Sequence, residues 1–230
     1  MNLLEALQYP FADKQWKNKL GIATLLMVIP VVGWLALLGY GIRITRRIAN
    51  DDHRLPDWQD FGRDANTGIM VAFGSSVYAA PVVIFLCMII FLSGLGGDEV
   101  TLILSCCLGS MLLVYGIVIA PLSQAAVAQY AHHNDVSEFF NVPARVQDAT
   151  AHSDQAVNLA MQSAGLGILM AIPLGLGALT LSLLFVEPLL GLCCLLIFLL
   201  PAPALMAYLL MANFYLIGEW GKIIGARRQH

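Results

Sequence analysis

Charged side chains are scarce in this chain of 230 residues, in which aspartate, glutamate, lysine and arginine together make up 12%. Soluble globular domains carry roughly 25% charged residues, so the composition excludes an ordinary soluble domain. Each uncharged stretch exceeds the roughly 20 residues that carry a helix across a bilayer, and none alternates between apolar and polar residues as a barrel strand does. The four stretches without any charged residue are 65–97, 100–131, 155–186 and 188–218.

These runs predict an all-α fold, because only helices and closed barrels satisfy their backbone hydrogen bonds within lipid. We expect a polytopic helical membrane bundle that forms a single integral membrane domain over residues 1–230. The four full spans are predicted at 66–93, 100–130, 155–186 and 188–218.

Aspartate, glutamate, lysine, arginine and histidine are missing from all four stretches. Proton-driven pumps place such groups at membrane depth, so their absence argues against a proton-driven pump. The chain also lacks the GxSxG, HExxH and GxxxxGK[ST] motifs, which mark hydrolases, zinc peptidases and phosphate-binding loops. We therefore expect a protein that is not an enzyme and that needs no cofactor.

Signals for metal and nucleic-acid binding are weak as well. His132, His133 and Asp135 lie close together in the sequence, but adjacent histidines point apart on a helix and no paired ligand spacing supports a metal site. The net charge of −3 predicts no nucleic-acid partner. The five cysteines include two adjacent pairs, whose side chains point in different directions on a helix, so we expect reduced thiols.

Lysine and arginine are absent from the connections near residues 93–99 and 186–188 and cluster elsewhere. Cytoplasmic loops carry an excess of these residues, so the clusters at 43–63, Arg145 and 222–228 predict a cytoplasmic C-terminus. We expect the chain to be a multi-pass protein of the cell (inner) membrane.

The apolar segment 20–46 is interrupted by "IPVVGW", in which Pro30 and Gly33 are placed to break a helix. The two resulting pieces are each too short to span a bilayer. We favour a re-entrant hairpin, with a proline-kinked fifth span as the alternative. Ahead of it, leucines at helical spacing predict an amphipathic interfacial helix over residues 1–18, with a frayed tail as the alternative.

Three arginines follow this segment at i, i+3 and i+4, so they share one helix face that can meet lipid phosphates. The next stretch, "LPDWQDF", predicts a short interfacial helix that begins near Pro56. A stop-transfer anchor is the plainer interpretation, and a cytoplasmic docking surface is the alternative. The residues expected at the lipid head-group interface are Arg43, Arg46, Arg47, Trp58 and Phe61.

The stretches "GYGIRITRRI", "LPDWQDF" and "PLSQAAVAQYAHHNDVSEFF" together resemble the domain-of-unknown-function 4013 family of bacterial and archaeal multi-pass membrane proteins. The resemblance implies a membrane location and a mostly helical fold, and it brings no assigned activity. Its strongest marks are Gly39, Tyr40, Arg43, Arg47, Leu55, Pro56, Trp58 and Phe61.

Small residues recur every four positions in the first and third predicted spans. Such rows let a second helix come close, which is a main way in which helices associate in lipid. The contacts are expected within the bundle, or alternatively between subunits. The predicted packing residues are Gly68, Ala72, Ser76, Ala80, Ser163, Gly167, Ala171 and Gly175.

Amide side chains cluster toward the cytoplasmic ends of the spans. They predict either interhelical hydrogen bonds or a polar vestibule that accepts a head group or solute. The vestibule residues would be Gln124, Gln155, Asn158, Gln162 and Asn213. In the longest polar loop, Asp135 and Glu138 have the spacing of a capping box, and Pro143 can open a second short helix.

The sequence leaves the biochemical role open between two classes. The main hypothesis is a structural or accessory component that assembles with itself or with other membrane subunits. The alternative is transport or handling of a lipid or small solute, which the proline in every apolar segment would suit. Membrane lipids are expected partners in either case, with a homo-oligomer or membrane-protein partner in the first.

Overall fold

The computed structural model describes residues 2–93, 98–187, 189 and 201–225. Within these residues every regular element is helical, which confirms the predicted all-α class. The elements are α1 (Leu3–Gln8), a 3-10 turn (Tyr9–Ala12), α2 (Trp16–Val28), α3 (Val32–Ala49), α4 (Phe61–Ser93), α5 (Asp98–His133), α6 (Ser137–Phe140), α7 (Val142–Ala151), α8 (Ser153–Val186) and α9 (Pro201–Gly225).

Among the described residues, three helices contain a segment long and apolar enough to cross a membrane. These segments are Phe61–Phe85, Ser153–Gly177 and Pro201–Gly225. The predicted span at 100–130 lies within α5, and part of the predicted span at 188–218 lies outside the described residues. Large apolar side chains on α4 and α8, such as Phe73 and Met161, are more than 60% exposed, as befits helix faces in contact with lipid rather than water.

Helix α3 is the centre of the bundle, and glycines allow its neighbours to come close. A Cβ atom on Gly39 would overlap the carbonyl oxygen of Asp64 in α4, and one on Gly68 would overlap the carbonyl oxygen of Leu35. On the other side of α3, the Thr45 hydroxyl donates a hydrogen bond of 3.2 Å to a backbone carbonyl of α9. Helix α3 therefore holds α4 and α9 together.

A tight turn at Pro30 separates α2 from α3. The amide of Val32 donates to the Pro30 carbonyl at 2.8 Å, and Val31 between them has φ 63° and ψ −72°. This combination is a γ-turn, which is rarely adopted and strained for a residue with a side chain. Beyond the turn, the Trp34 indole donates to the Met27 carbonyl at 2.9 Å and ties the two helices together.

Residues 55–60 do not form the predicted interfacial helix, because helix α4 begins only at Phe61. The carbonyls of Leu55, Pro56 and Asp57, which a helix would use, accept hydrogen bonds from side chains elsewhere in the chain. Asp60 then caps α4, since its carboxylate accepts from the amide of Arg63 at 3.1 Å.

Two other local predictions also need correction. The predicted N-terminal helix is reduced to α1. Pro10 lies in a 3-10 turn, and the backbone of Asp13 is extended. The Asp13 carboxylate accepts a hydrogen bond of 2.7 Å from the Gln15 amide. In the polar loop, Asp135 accepts from the Ser137 amide at 2.9 Å. Glu138 does not complete a capping box, because its carboxylate accepts from Arg145 instead.

Candidate functional site

The loop between α3 and α4 is anchored by three side chains that donate to its carbonyls. The Lys19 ammonium reaches Leu55 at 2.7 Å, the Tyr40 hydroxyl reaches Pro56 at 2.9 Å, and the Arg43 guanidinium reaches Asp57 at 2.9 Å. Such charged or buried donors make stronger hydrogen bonds than exposed neutral ones. The loop therefore has a defined path at the end of the bundle.

Trp58 completes this anchor by filling the space between the loop and the helices. Its ring stacks on Tyr40 with a centroid distance of 3.9 Å, and its indole donates to the Lys19 carbonyl at 3.1 Å. Phe61 also stacks on Trp58, with a centroid distance of 5.5 Å, and is 46% exposed. Of the two predicted interface aromatics, Phe61 is thus the more available to lipid.

Each of the three predicted interface arginines donates at least one hydrogen bond inside the protein. Arg43 forms an ion pair with Asp64. Arg46 donates to the Ala131 carbonyl at 2.6 Å, which braces α3 against α5. Arg47 makes only longer contacts, of which the shortest is 3.3 Å, to Leu55. Their role at lipid head groups stays a prediction.

Lys19 is a buried cation that bridges two carboxylates. Its ammonium lies 2.8 Å from both Asp13 and Asp57, and its side chain is only 8% exposed. Burial acts to raise the pKa of Asp13, but hydrogen bonds from Lys19 and from the Gln15 amide outweigh it and lower that pKa. The hydrogen bond from Lys19 likewise lowers the pKa of Asp57.

Arg145 is the centre of a second buried cluster of charged side chains, which no sequence pattern predicted. Its side chain is fully buried and forms ion pairs with Glu138 at 2.9 Å and Asp148 at 3.1 Å. Glu138 also contacts the ring of His133 at 2.7 Å. This cluster ties α5, α6 and α7 together. Among the described residues, no group of histidine, cysteine and carboxylate side chains is arranged to hold a metal ion.

A cavity of about 580 Å³ lies between α5, α8 and α9. It brings together two of the predicted vestibule residues, Gln124 and Asn213, with members of the α8 small-residue row. Among the described residues, the remainder of its wall is apolar and carries no ionisable side chain. The lining residues are Gly116, Ile117, Ala120, Gln124, Ala160, Ser163, Ala164, Leu166, Gly167, Ile168, Met170, Ala171 and Asn213.

Three buried polar atoms on this wall have no hydrogen-bond partner within the part of the chain that the structure describes. They are Gln124 Oε1, Ser163 Oγ and Asn213 Oδ1, and Gln124 as a whole is only 9% exposed. Nearly all buried polar atoms in folded proteins are paired, and an unpaired one is costly. Gln124 and Ser163 each lie roughly ten residues, or about 15 Å, from a helix end, which is about half the thickness of the hydrocarbon layer.

The other predicted vestibule residues do not line this cavity. Gln155 and Asn158 are exposed, and the Gln162 amide donates to the Asn158 side chain at 2.9 Å. Ser163 was singled out only as a packing residue, although its hydroxyl is one of the three unpaired groups. Its proximity to Gln124 depends on how three helices cross, which no local pattern reveals.

The two small-residue rows have different environments. In α4, Gly68 packs against α3, whereas Ala72, Ser76 and Ala80 are exposed. In α8, Ser163, Gly167 and Ala171 line the cavity. A Cβ atom on Gly167 or Gly175 would meet nothing within 4 Å. No described helix therefore uses the α8 row for close packing.

A family model matches residues 22–159, which is more than half of the chain. The chain belongs to the family described as protein of unknown function, DUF4013. No curated protein and no solved structure matches it. In this DUF4013 chain, the matched segment includes Gln124 and the loop anchor except for Lys19, and it ends before Ser163 and Asn213. The residues that carry the family resemblance meet in the loop anchor, where Tyr40 contacts both Pro56 and Trp58.

Proposed function

We propose that this protein binds and handles a neutral lipid or small amphiphilic solute in the cavity between α5, α8 and α9. The observation that carries the proposal is the convergence of three unpaired buried polar atoms on one apolar-walled cavity. A volume of about 580 Å³ falls within the range of small-molecule sites. Burying an unpaired polar atom is costly, and a bound ligand that forms hydrogen bonds with these three atoms would remove that cost.

The chemistry of the wall restricts the ligand class. The oxygens of Gln124 and Asn213 accept hydrogen bonds, and the Ser163 hydroxyl can donate or accept. A ligand group with two donor hydrogens, such as a primary amide or a diol, would pair with both amide oxygens and with the Ser163 hydroxyl, whereas a lone hydroxyl would pair with only one of the two amide oxygens. A charged group would have no counter-charge on this wall and would pay a large desolvation penalty, so the ligand is neutral at this point.

A neighbouring groove supplies a place for the hydrocarbon part of such a ligand. This groove of about 420 Å³ lies between α5, α7 and α8 and shares Ile117, Ala160 and Ala164 with the cavity. Pro121 contributes to its wall and interrupts the helical hydrogen bonding of α5. An acyl or prenyl chain in the groove would leave the polar end of the ligand beside Gln124.

The test is mild purification from native membranes, followed by mass spectrometry of the retained lipids. We expect the wild-type protein to retain one neutral lipid class above its abundance in the membrane, and Gln124→Leu to lose most of it, since leucine keeps the volume and removes the acceptor. Gln155→Leu, at an exposed position, is the matched control. Retention that is equal in all three proteins, or that mirrors the bulk membrane, would refute the proposal.

The membrane arrangement that we propose has four spans, α4, α5, α8 and the segment that ends in α9, with the C-terminus in the cytoplasm of a cell. The distribution of cations supports this orientation. Lys222 in α9 pairs with Asp51 after α3 at 2.7 Å, and Arg46 binds the end of α5. The ends of α3, α5 and α9 thus meet at the most cationic end of the bundle, and α2–α3 enters and leaves the membrane from there.

A second candidate function is assembly with another transmembrane helix, of a second copy or of another subunit. The exposed row of Ala72, Ser76 and Ala80 favours it, because small residues facing lipid form a groove for close helix contact. Native mass spectrometry is the test. Leucine at positions 72 and 80 should dissociate the assembly, and Met70→Leu, at an exposed position on another side of α4, should not. A monomeric wild-type protein without a partner would exclude this function.

A further inference from the structure

A concave pocket of about 330 Å³ lies where the end of α3 meets the start of α4. Four of its lining residues are arginines and two are aspartates, so the wall carries a surplus of positive charge. We call it the arginine pocket, and it is lined by Arg43, Arg46, Arg47, Gln59, Asp60, Arg63, Asp64 and Thr67. It is separate from the cavity between α5, α8 and α9.

Both aspartates of the arginine pocket are already engaged. Asp64 has a side chain that is only 4% exposed and forms an ion pair with Arg43. Asp60 caps α4 through the backbone amide of Arg63, so one of its oxygens is taken by that hydrogen bond. These two acids offset two of the four arginine charges, and Asp52 outside the pocket lies 3.7 Å from Arg47, so a net positive charge remains on the wall.

Two arginine groups in the pocket have unused donors. Among the described residues, the Arg63 guanidinium has neither a hydrogen-bond nor an ion-pair partner, although its backbone amide is capped. The Arg43 Nε atom is buried and also has no hydrogen-bond partner. Like charges that share a concave site repel each other unless an anion lies between them. The pocket thus has both the charge and the free donors to bind an anion.

We propose that the arginine pocket binds a phosphate group. Guanidinium groups pair with phosphate oxygens through two parallel hydrogen bonds, and several arginines in one concave site select phosphate over a single carboxylate. The Thr67 hydroxyl and the Gln59 amide are further donors on the same wall. The phosphate belongs either to the head group of an anionic lipid or to a soluble phosphate compound.

The pocket's surroundings suit a lipid head group. Phe61, which opens α4 beside Asp60 and Arg63, is 46% exposed and can insert among acyl chains next to the pocket. Basic pockets at the cytoplasmic ends of membrane helices bind anionic head groups in this way. Soluble phosphate would use the same donors without the apolar contact.

The experiment measures binding of phosphatidylglycerol, phosphatidylcholine and inorganic phosphate to the purified full chain in detergent. Native mass spectrometry reports the lipids, and calorimetry reports the phosphate. Arg63→Gln removes the unpaired guanidinium without breaking an ion pair, and Thr67→Val removes a neutral donor. Arg54→Gln, in the loop but outside the pocket, is the matched control.

We expect phosphatidylglycerol to bind more tightly than phosphatidylcholine, and Arg63→Gln to weaken that binding about tenfold, the loss of one charge-assisted contact. Arg54→Gln should bind as the wild type does. Arg63-dependent binding of the lipid alone assigns the site to a head group, and Arg63-dependent binding of inorganic phosphate as well assigns it to phosphate in general. Equal binding of the two lipids, or equal loss in both arginine variants, would overturn the proposal whatever ligand the other cavity retains.

Discussion

Gly39 and Gly68 set the distance between α3 and α4, because each faces a backbone carbonyl of the other helix. At Gly39→Ala, the added methyl group would overlap the Asp64 carbonyl, so the helices must move apart. We expect this substitution to lower the free energy of unfolding by about 1–3 kcal/mol, as overpacking does. Thermal unfolding in detergent, followed by circular dichroism, measures the effect.

The matched control is Gly21→Ala, since a methyl group there meets nothing within 4 Å. That substitution should leave stability unchanged or raise it by up to about 1 kcal/mol through improved helix propensity. If both variants unfold at the same temperature, the close contact of α3 and α4 is not what limits their stability.

The Lys19 cluster predicts a specific dependence on pH. The folded-state pKa values of Asp13 and Asp57 are lowered, so their ion pairs stabilise the protein above the unfolded value of about 3.9 and lose that effect as the pH falls through the folded values. The difference in unfolding temperature between wild type and Lys19→Met should therefore be largest near neutral pH and shrink below about pH 4.

Lys17→Met is the control for this titration, because Lys17 is exposed and forms no ion pair with either carboxylate. It should follow the wild type at every pH. A Lys19→Met deficit that stays constant down to acidic pH would show that Lys19 acts through its packing and its hydrogen bond to Leu55 alone.

Sequence patterns predicted which residue types lie at the loop between α3 and α4, but not which groups these side chains contact. The spacing of Arg43, Arg46 and Arg47 indicated a shared face and an interfacial location, but their acceptors are up to 88 positions away in the chain. Trp58 was expected to face lipid or the bundle, and it stacks on Tyr40. Such pairings follow from helix crossings, so the sequence alone could not predict them.

At the scale of the elements, the turn between α2 and α3 is the most constrained feature. Val31 has φ 63°, a conformation that glycine adopts without strain and that costs a β-branched residue about 1–3 kcal/mol. Val31→Gly should therefore raise the free energy of unfolding by about 1 kcal/mol, after the entropy cost of glycine is subtracted. Chemical or thermal unfolding of the purified protein provides the measurement.

Val28→Gly, at the end of α2, separates turn geometry from a general effect of glycine. Valine 28 is helical and 52% exposed, so glycine there should lower the free energy of unfolding by about 0.5–1 kcal/mol. Destabilisation of equal size at both positions would mean that Val31 does not adopt the strained conformation in solution.

The long helices and α7, in which Pro143 lies in the first turn, could be predicted from the sequence, whereas the absence of a helix at residues 55–60 could not. Absence of charge over more than 30 residues is a strong signal, and helices α4 and α8 follow it. Pro56 is a residue that favours the first turn of a helix. However, the carbonyls of Leu55, Pro56 and Asp57 accept hydrogen bonds from the side chains of Lys19, Tyr40 and Arg43. Local propensity is outweighed there by partners that are distant in the chain.

At the scale of the whole molecule, the two candidate sites lie at different depths and have opposite character. The arginine pocket is charged and lies at the end of the bundle, whereas the cavity between α5, α8 and α9 is lined by uncharged described residues, among them the exposed Ile117 and Ile168. Composition predicted both the charged end and the uncharged interior. It could not predict the cavity, which exists because the small residues of α8 face open space rather than a neighbouring helix.

The packing of the N-terminal segment on α9 predicts on which side of the membrane the chain begins. The Tyr208 hydroxyl donates to the Leu7 carbonyl at 2.6 Å, and the rings of Tyr9 and Tyr215 lie 5.0 Å apart. Because Lys19 also contacts the loop after α3, both ends of the α2–α3 segment meet at one end of the bundle. A fifth span would separate these contacts, so we expect the N-terminus and the C-terminus on the same, cytoplasmic side.

Fusion of a small fragment of a self-complementing fluorescent protein to each terminus in turn tests this arrangement, with the larger fragment expressed in the cytoplasm. Both fusions should fluoresce if α2–α3 is a re-entrant hairpin. Fluorescence from the C-terminal fusion alone would place the first residues outside and make residues 20–46 a kinked span. The contact between Lys19 and Leu55 would then have to form across the bilayer, which its length of 2.7 Å does not allow.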